Sequence, residues 1–237
     1  MHTKGGMYVD DARYISRGLW VIMSCFVWQL SKELRRMADM TICLASASPR
    51  RREILDQLGI SYQVLPQDVD ESHRAGETPA AYVKRLAACK AESALASHGE
   101  KQGIACLGSD TTVVCDGQVF EKPADQEDAH RMLSSLSGKS HQVLTAVALA
   151  TADFTEVLLS VSEVTFRVLE DDEISAYWQT GEPADKAGGY GIQGLGALFI
   201  ESMKGSYSGI MGLPVFETAC LLQKIDMPAA NILGQYQ

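Results

Sequence analysis

Residues 40–57, MTICLASASPRRREILDQ, set two opposed backbone preferences end to end, and that junction limits what the chain can become. MTICLA is a short apolar run suited to a buried strand, and SPRRREILDQL reads as a helix that stops at Gly59. Ser48 stands at the N-cap and Pro49 at the first helical position, where each residue type is favoured. The same rhythm continues downstream. YQVLP (62–66) suits a second strand, and a long helix is expected from about Pro79 to His98 behind Thr78. GIACLGSD reads as a strand ending at Asp110, and TTVVCDGQVFEKP as a hairpin turning on Asp116-Gly117. Asp125, with Asp128 three residues on, opens another helix that runs to Gly138. Strands follow over 141–150 and 156–169, a short helix over 171–179, a glycine-rich stretch, a strand at ALFIE (197–201) and a last helix from about Pro214 to Ile225. The expected fold is mixed α/β (α+β), one mixed twisted sheet with flanking helices.

Charge and cysteine usage narrow the function. A net charge of −9 argues against a broad nucleic-acid surface, which needs many cations to neutralise phosphates. Any bound anion must therefore meet a local basic cluster. Six cysteines without a CxxC pair or a Cys/His metal spacing suit reduced thiols in a cytoplasmic protein, and structural zinc is not expected. LWVIMSCFVWQL (19–30) is the one membrane-like run and is too short to span a bilayer comfortably. Residues 1–36 are read as an N-terminal extension outside the fold, because Met37 and Met40 both stand just before the first clear strand. The domain is expected over 37–237.

Several residues could carry chemistry. A strand that runs into a capped helix aims free N–H groups and the positive end of the helix dipole at whatever lies beyond the strand. Arg50 falls in the first helical turn, where a cation is unfavourable for the helix itself, so it is read as a phosphate ligand. Arg51 and Arg52 are as readily solvated as engaged. Asp110, expected at the carboxyl end of an apolar strand, could cap a turn or serve a ligand. Glu71, Lys90 and Lys122 lie on segments able to converge with it, and phosphoryl chemistry needs carboxylates for a divalent metal and cations for developing charge. Taken singly, Lys90 would be a solvated helix residue and Lys122 a hairpin-end charge. GYGIQG (189–194) is neither a Walker loop nor a dinucleotide fingerprint, and could approach a ligand or simply turn.

Together these segments resemble the Maf family of nucleoside triphosphate pyrophosphatases. The resemblance rests on LASASPRRREIL (44–55), LGSDTTVVCDGQVFEKP (107–123), LSGKSHQVLTAVAL (136–149) and DKAGGYGIQGLGALFIESMKGSYSGIMGLP (185–214), in the family's order, and it leaves residues 1–36 without a counterpart. It implies a two-lobed α/β fold around a nucleotide cleft, often homodimeric, and hydrolysis of nucleoside triphosphates to monophosphate and pyrophosphate with Mg²⁺ or Mn²⁺. Asp110 matches the proton acceptor, and Glu71, Lys90 and Lys122 match further active-site positions. Asp110 and Glu71 are the metal ligands so implied. Arg50, Thr111, Gln193 and Ser46 match substrate-binding and specificity positions, and GYGIQG resembles the branch acting on dTTP and UTP. The implied setting is cytoplasmic nucleotide housekeeping, with no nucleic-acid or membrane partner. The alternative is a nucleotide-binding regulator of septation without turnover.

Overall fold

A computed structural model of the protein describes residues 40–99 and 102–234. The expected extension 1–36 and its apolar run at 19–30 lie outside the described residues. The described residues from Thr41 onward form one compact unit. Its strands are β1 (Thr41–Leu44), β2 (Tyr62–Val64), β3 (Ile104–Cys115), β4 (Gln118–Phe120), β5 (Ser140–Thr151), β6 (Thr155–Phe166) and β7 (Ile200–Lys204). They build one sheet in the order β2-β1-β3-β5-β6-β7, with β4 folded back on β3. Its helices are α1 (Pro49–Gln57), α2 (Pro79–Ser97), α3 (Gln126–Leu136), α4 (Asp171–Gln179), α5 (Tyr207–Met211), α6 (Val215–Gln223) and α7 (Ala229–Leu233).

The caps fall where the sequence places them. Thr78 Oγ1 accepts from the Ala81 N–H, and Asp125 Oδ1 from the Asp128 N–H. Asp116 and Gly117 both have positive φ, as a tight two-residue hairpin turn requires. Ser48 occupies the N-cap of α1, but its side chain caps nothing. Residues 197–199, expected to start a strand, instead close a 3₁₀ turn over Leu195–Phe199, and β7 begins at Ile200.

β3 is the long rail of the sheet and corrects one expectation. Its first four residues pair in parallel with all of β1 on one edge, where β4 later pairs antiparallel, and β5 runs antiparallel along the other edge from Ala105 to Val114. Asp110 therefore sits in mid-strand. It is β1 that ends, at Leu44 beside Leu107, and its departure opens the sheet next to Asp110. Two apolar cores flank this point. One packs α2 on β1, β3 and β5 through Ala87, Ala91, Ala94, Cys43, Cys106 and Ala148. The other joins Val113, Phe120, Leu133, Phe166, Tyr177 and Phe199 at the far end.

The small residues of the first core let α2 approach closely. A Cβ added to Gly108 would lie 2.2 Å from the Ala87 carbonyl oxygen and 2.6 Å from the Ala91 nitrogen, both backbone atoms with no room to give. Gly108→Ala should lower stability by about 3 kcal/mol, the upper end of overpacking costs. The thermal unfolding midpoint reports it.

In the second core His141 is 2 % exposed, packs edge-on to Phe166 and Tyr190, and shares a 2.8 Å hydrogen bond with the Tyr190 hydroxyl. Burial lowers its pKa from 6.5 to about 4. The unfolded chain therefore binds one more proton between pH 6.5 and 4, and stability falls as pH drops through that window. His141→Phe should make the pH slope of unfolding free energy there shallower by about one proton. Denaturant titrations across pH 4–7 test this.

Candidate active site

The parting of β1 from β3 leaves a cleft of about 500 Å³. Ser46, Arg50, Glu71, Lys90, Asp110, Thr111, Lys122 and Gln193, scattered over 148 positions of sequence, all line it.

At its floor one ammonium joins two carboxylates. Lys90 Nζ lies 2.7 Å from Asp110 Oδ1 and 2.6 Å from Glu71 Oε1. Lys90 and Asp110 are each 9 % exposed, so this lysine is no solvated helix residue. Helical spacing explains its burial. Lys90 stands four residues after Leu86 and four before Ala94, on the stripe that α2 presents to the sheet.

Burial pushes the Asp110 carboxyl above its ordinary value, against the pull of Lys90 and Arg51. Burial acts the same way on Glu71, but the hydrogen bond and charge of Lys90, aided by Lys122 and Arg51, outweigh it and hold Glu71 low. The two neighbouring carboxyls are thus shifted in opposite directions.

Glu71 rides on the loop between β2 and α2. Tyr82 of α2 fixes that loop by donating to the Glu71 backbone carbonyl at 2.8 Å, and its hydroxyl also meets the Glu121 carboxylate. Lys122 follows β4 and is exposed at the rim. Thr111, next to Asp110 on β3, accepts from the Thr145 hydroxyl at 3.0 Å.

The arginine run divides differently from its sequence reading. Arg50 pairs with Asp185 across the cleft at 3.0 Å and also reaches the Asp185 carbonyl. Arg51 is the member that enters the cleft floor. Its Nε donates to the Gly212 carbonyl at 2.8 Å and its Nη1 to Ser46 Oγ at 3.0 Å. Burial draws its pKa down while the charge of Asp110 pulls it up. The signal for this was available, since Arg51 lies three and four residues before Ile54 and Leu55, the buried residues of α1. Arg52 turns away to the Ala47 carbonyl at 3.4 Å. Ser46 is 7 % exposed and takes two donors, from Arg51 and from the Ser48 N–H.

A family model described as Maf-like protein matches residues 41–225. The chain belongs to this family. Among curated Maf-like relatives it is 54 % identical to the dTTP/UTP pyrophosphatase of Saccharophagus degradans over 78 % of this chain and 89 % of that protein. The dTTP/UTP pyrophosphatase of Hahella chejuensis is 50 % identical over 78 % of this chain and 92 % of its own length. That of Pseudoalteromonas translucida is 52 % identical over 77 % and 95 %.

The Maf-like cleft thus offers two carboxylates, one buried ammonium and an inward guanidinium on one wall, with Arg50 and Lys122 nearer the rim. A cluster of that kind suits a polyphosphate whose charge is partly carried by a cation. Arg51→Ala should weaken binding of inorganic triphosphate at least tenfold, the scale of one charge-assisted hydrogen bond, and Arg52→Ala less than twofold. Isothermal calorimetry separates the two.

Proposed function

We propose that this Maf-like cleft binds a nucleoside triphosphate, dTTP or UTP by preference, and hydrolyses it to the monophosphate and pyrophosphate. The observation that carries the reading is the Asp110–Lys90–Glu71 cluster, with its two carboxyls held in opposite protonation tendencies at the base of a cation-lined cleft. The dTTP/UTP pyrophosphatases named above, similar over nearly their whole length, support the substrate.

In this reading Asp110 takes a proton from water as the water oxygen bonds to the α-phosphorus, and the bond from that phosphorus to the bridging oxygen breaks, releasing pyrophosphate with the electron pair. Lys90 holds Asp110 and Glu71 in register before substrate arrives. Arg50, Arg51 and Lys122 take up charge on the phosphate chain, as preorganised cations in a site with little water do best. Ser46 orients Arg51, and Thr111 lies beside the reacting carboxyl. Gln193 presents an amide whose donor and acceptor match a pyrimidine edge.

A divalent metal fits this donor set. Asp110 and Glu71 supply oxygen only, which suits Mg²⁺ or Mn²⁺. Among the described residues no group of three or more acidic, histidine or cysteine side chains could hold an ion by itself, so substrate phosphates would complete its shell. Bound there, the metal would polarise phosphoryl oxygens and acidify water.

The reading extends to residues 37–237 as the catalytic domain of a cytoplasmic enzyme that pairs with a second copy of itself. Among the described residues no helix is long and apolar enough to cross a membrane.

Asp110→Asn should cut pyrophosphate release from dTTP and UTP by about 100-fold or more, the contribution of a positioned base, in a protein that stays folded at the assay temperature although its thermal midpoint falls with the loss of one Lys90 partner. Release is measured with Mg²⁺ over a panel of nucleotides. Full activity in the variant would remove Asp110 as the base, and binding without turnover in the parent would favour a regulatory role.

A further inference from the structure

The stretch that carries Gln193 is anchored before it by the buried Tyr190 and Ile192, but has little apolar packing after it. It runs between two 3₁₀ turns, Ala187–Gly189 and Leu195–Phe199, includes Gly191 and Gly194, and meets Gly196 inside the second turn. Leu195 is 50 % exposed, so apolar packing does little to fix the far side of Gln193. A glycine-rich segment of this kind samples many conformations unless polar contacts restrain it.

Those contacts come from two side chains outside the cleft. Glu182 Oε2 accepts from the Leu195 N–H at 2.9 Å, and Oε1 accepts from the Gly196 N–H at 3.1 Å and from the Tyr177 hydroxyl at 2.7 Å. The Tyr177 oxygen in turn accepts from the Gly191 N–H at 3.1 Å. Both flanks of Gln193 are thereby tied to one carboxylate, directly on one side and through Tyr177 on the other.

The fit is close, and at Gly196 the Gly191 backbone, whose oxygen would lie 2.8 Å from an added Cβ, leaves no room for one. A Cβ on Gly194 would lie 2.3 Å from Glu182 Oε2, and one on Gly196 would lie 2.7 Å from the Tyr177 hydroxyl. Glycine at these positions admits the clamp. Glu182 does not line the cleft, whereas Gln193 does.

We infer that Glu182, with Tyr177, is a positioning residue for base selection, holding the 191–196 segment so that the Gln193 amide stands where the base must lie. The inference deepens the proposed function and rests on it for the substrate. Glu182 takes three donors and offers none, which only an ionised carboxylate does well. Burial alone would raise its pKa, but the Leu195, Tyr177 and Gly196 donors outweigh that and keep it low.

Glu182→Gln keeps the volume and turns one acceptor into an amide that faces N–H or O–H donors. The expected result is a KM for dTTP raised about tenfold, the scale of one lost hydrogen bond to a charged group, with kcat within about twofold. Preference for dTTP over dGTP should fall with it. Hydrogen exchange over 190–196 should speed up while α2 and β3 stay protected. Adding Glu182→Gln to Gln193→Ala should reduce the dTTP preference no further, because both changes act through one amide. Tyr177→Phe, which removes the Gly191 tie and one donor to Glu182 but leaves the Leu195 and Gly196 bonds, serves if Glu182→Gln does not fold. A fall in kcat with KM and preference unmoved would overturn the inference, as would losses that multiply in the double variant.

If the parent releases no pyrophosphate from any nucleotide, the proposed activity falls, and dissociation constants for dTTP and dGTP replace KM. A pyrimidine preference in binding that Glu182→Gln abolishes would then uphold the clamp. Its absence from the parent, or its survival in the variant, would overturn it.

Discussion

A lysine held almost out of water by two carboxylates is the contact around which this molecule is arranged. Breaking such a pair by removing one partner typically costs about 3–5 kcal/mol, because a charge is left buried without compensation. Lys90 can reach Asp110 only if α2 lies very close to β3. Gly108 and the alanines at 87 and 91 supply that closeness. Gly108 and Asp110 share one face of β3, and Ala87, Lys90 and Ala91 lie on the facing stripe of α2. Close packing and ion pairing are therefore neighbouring steps along one helix–strand contact.

The change in pairing along β3 does the complementary work. On one edge of β3 the parallel β1 leaves at Leu107 and the antiparallel β4 begins only at Val113, while β5 pairs along the other edge, so a polar residue can sit in mid-strand beside open space. Each side of that opening brings different chemistry. The α1, α2 and β3 side supplies the charged groups Arg50, Arg51, Lys90 and Asp110, and the 187–196 stretch, following the Asp185–Lys186 pair, supplies a backbone rich in glycine with one amide. A triphosphate and a base ask for that division between charge and shape.

Much of this was legible in the sequence, because its signals are local. Thr78 and Asp125 cap their helices, the Asp116-Gly117 turn folds its hairpin, and the order of strands and helices follows the alternation of apolar runs and caps. The sequence reads Asp110 as a strand end because its apolar run stops there. The strand continues because β4 and β5 pair with it, which is long-range information. The burial of Lys90 and the inward turn of Arg51 were encoded in helical spacing, but charge alone argued for solvent. The Glu182 clamp had no local signal, since its partners are backbone N–H groups 13 and 14 residues away.

The pairing of Arg50 with Asp185 makes the cleft its own first occupant. The guanidinium already has a counterion, supplied by the opposite wall, before any phosphate arrives. A phosphate bound at Arg50 as proposed would have to displace a carboxylate, so its affinity there would be the difference between two ion pairs and fall below the value of either. That exchange penalises weakly charged anions more than a polyphosphate, which has several oxygens with which to compete. An acidic protein thereby guards a basic site with one of its own acids.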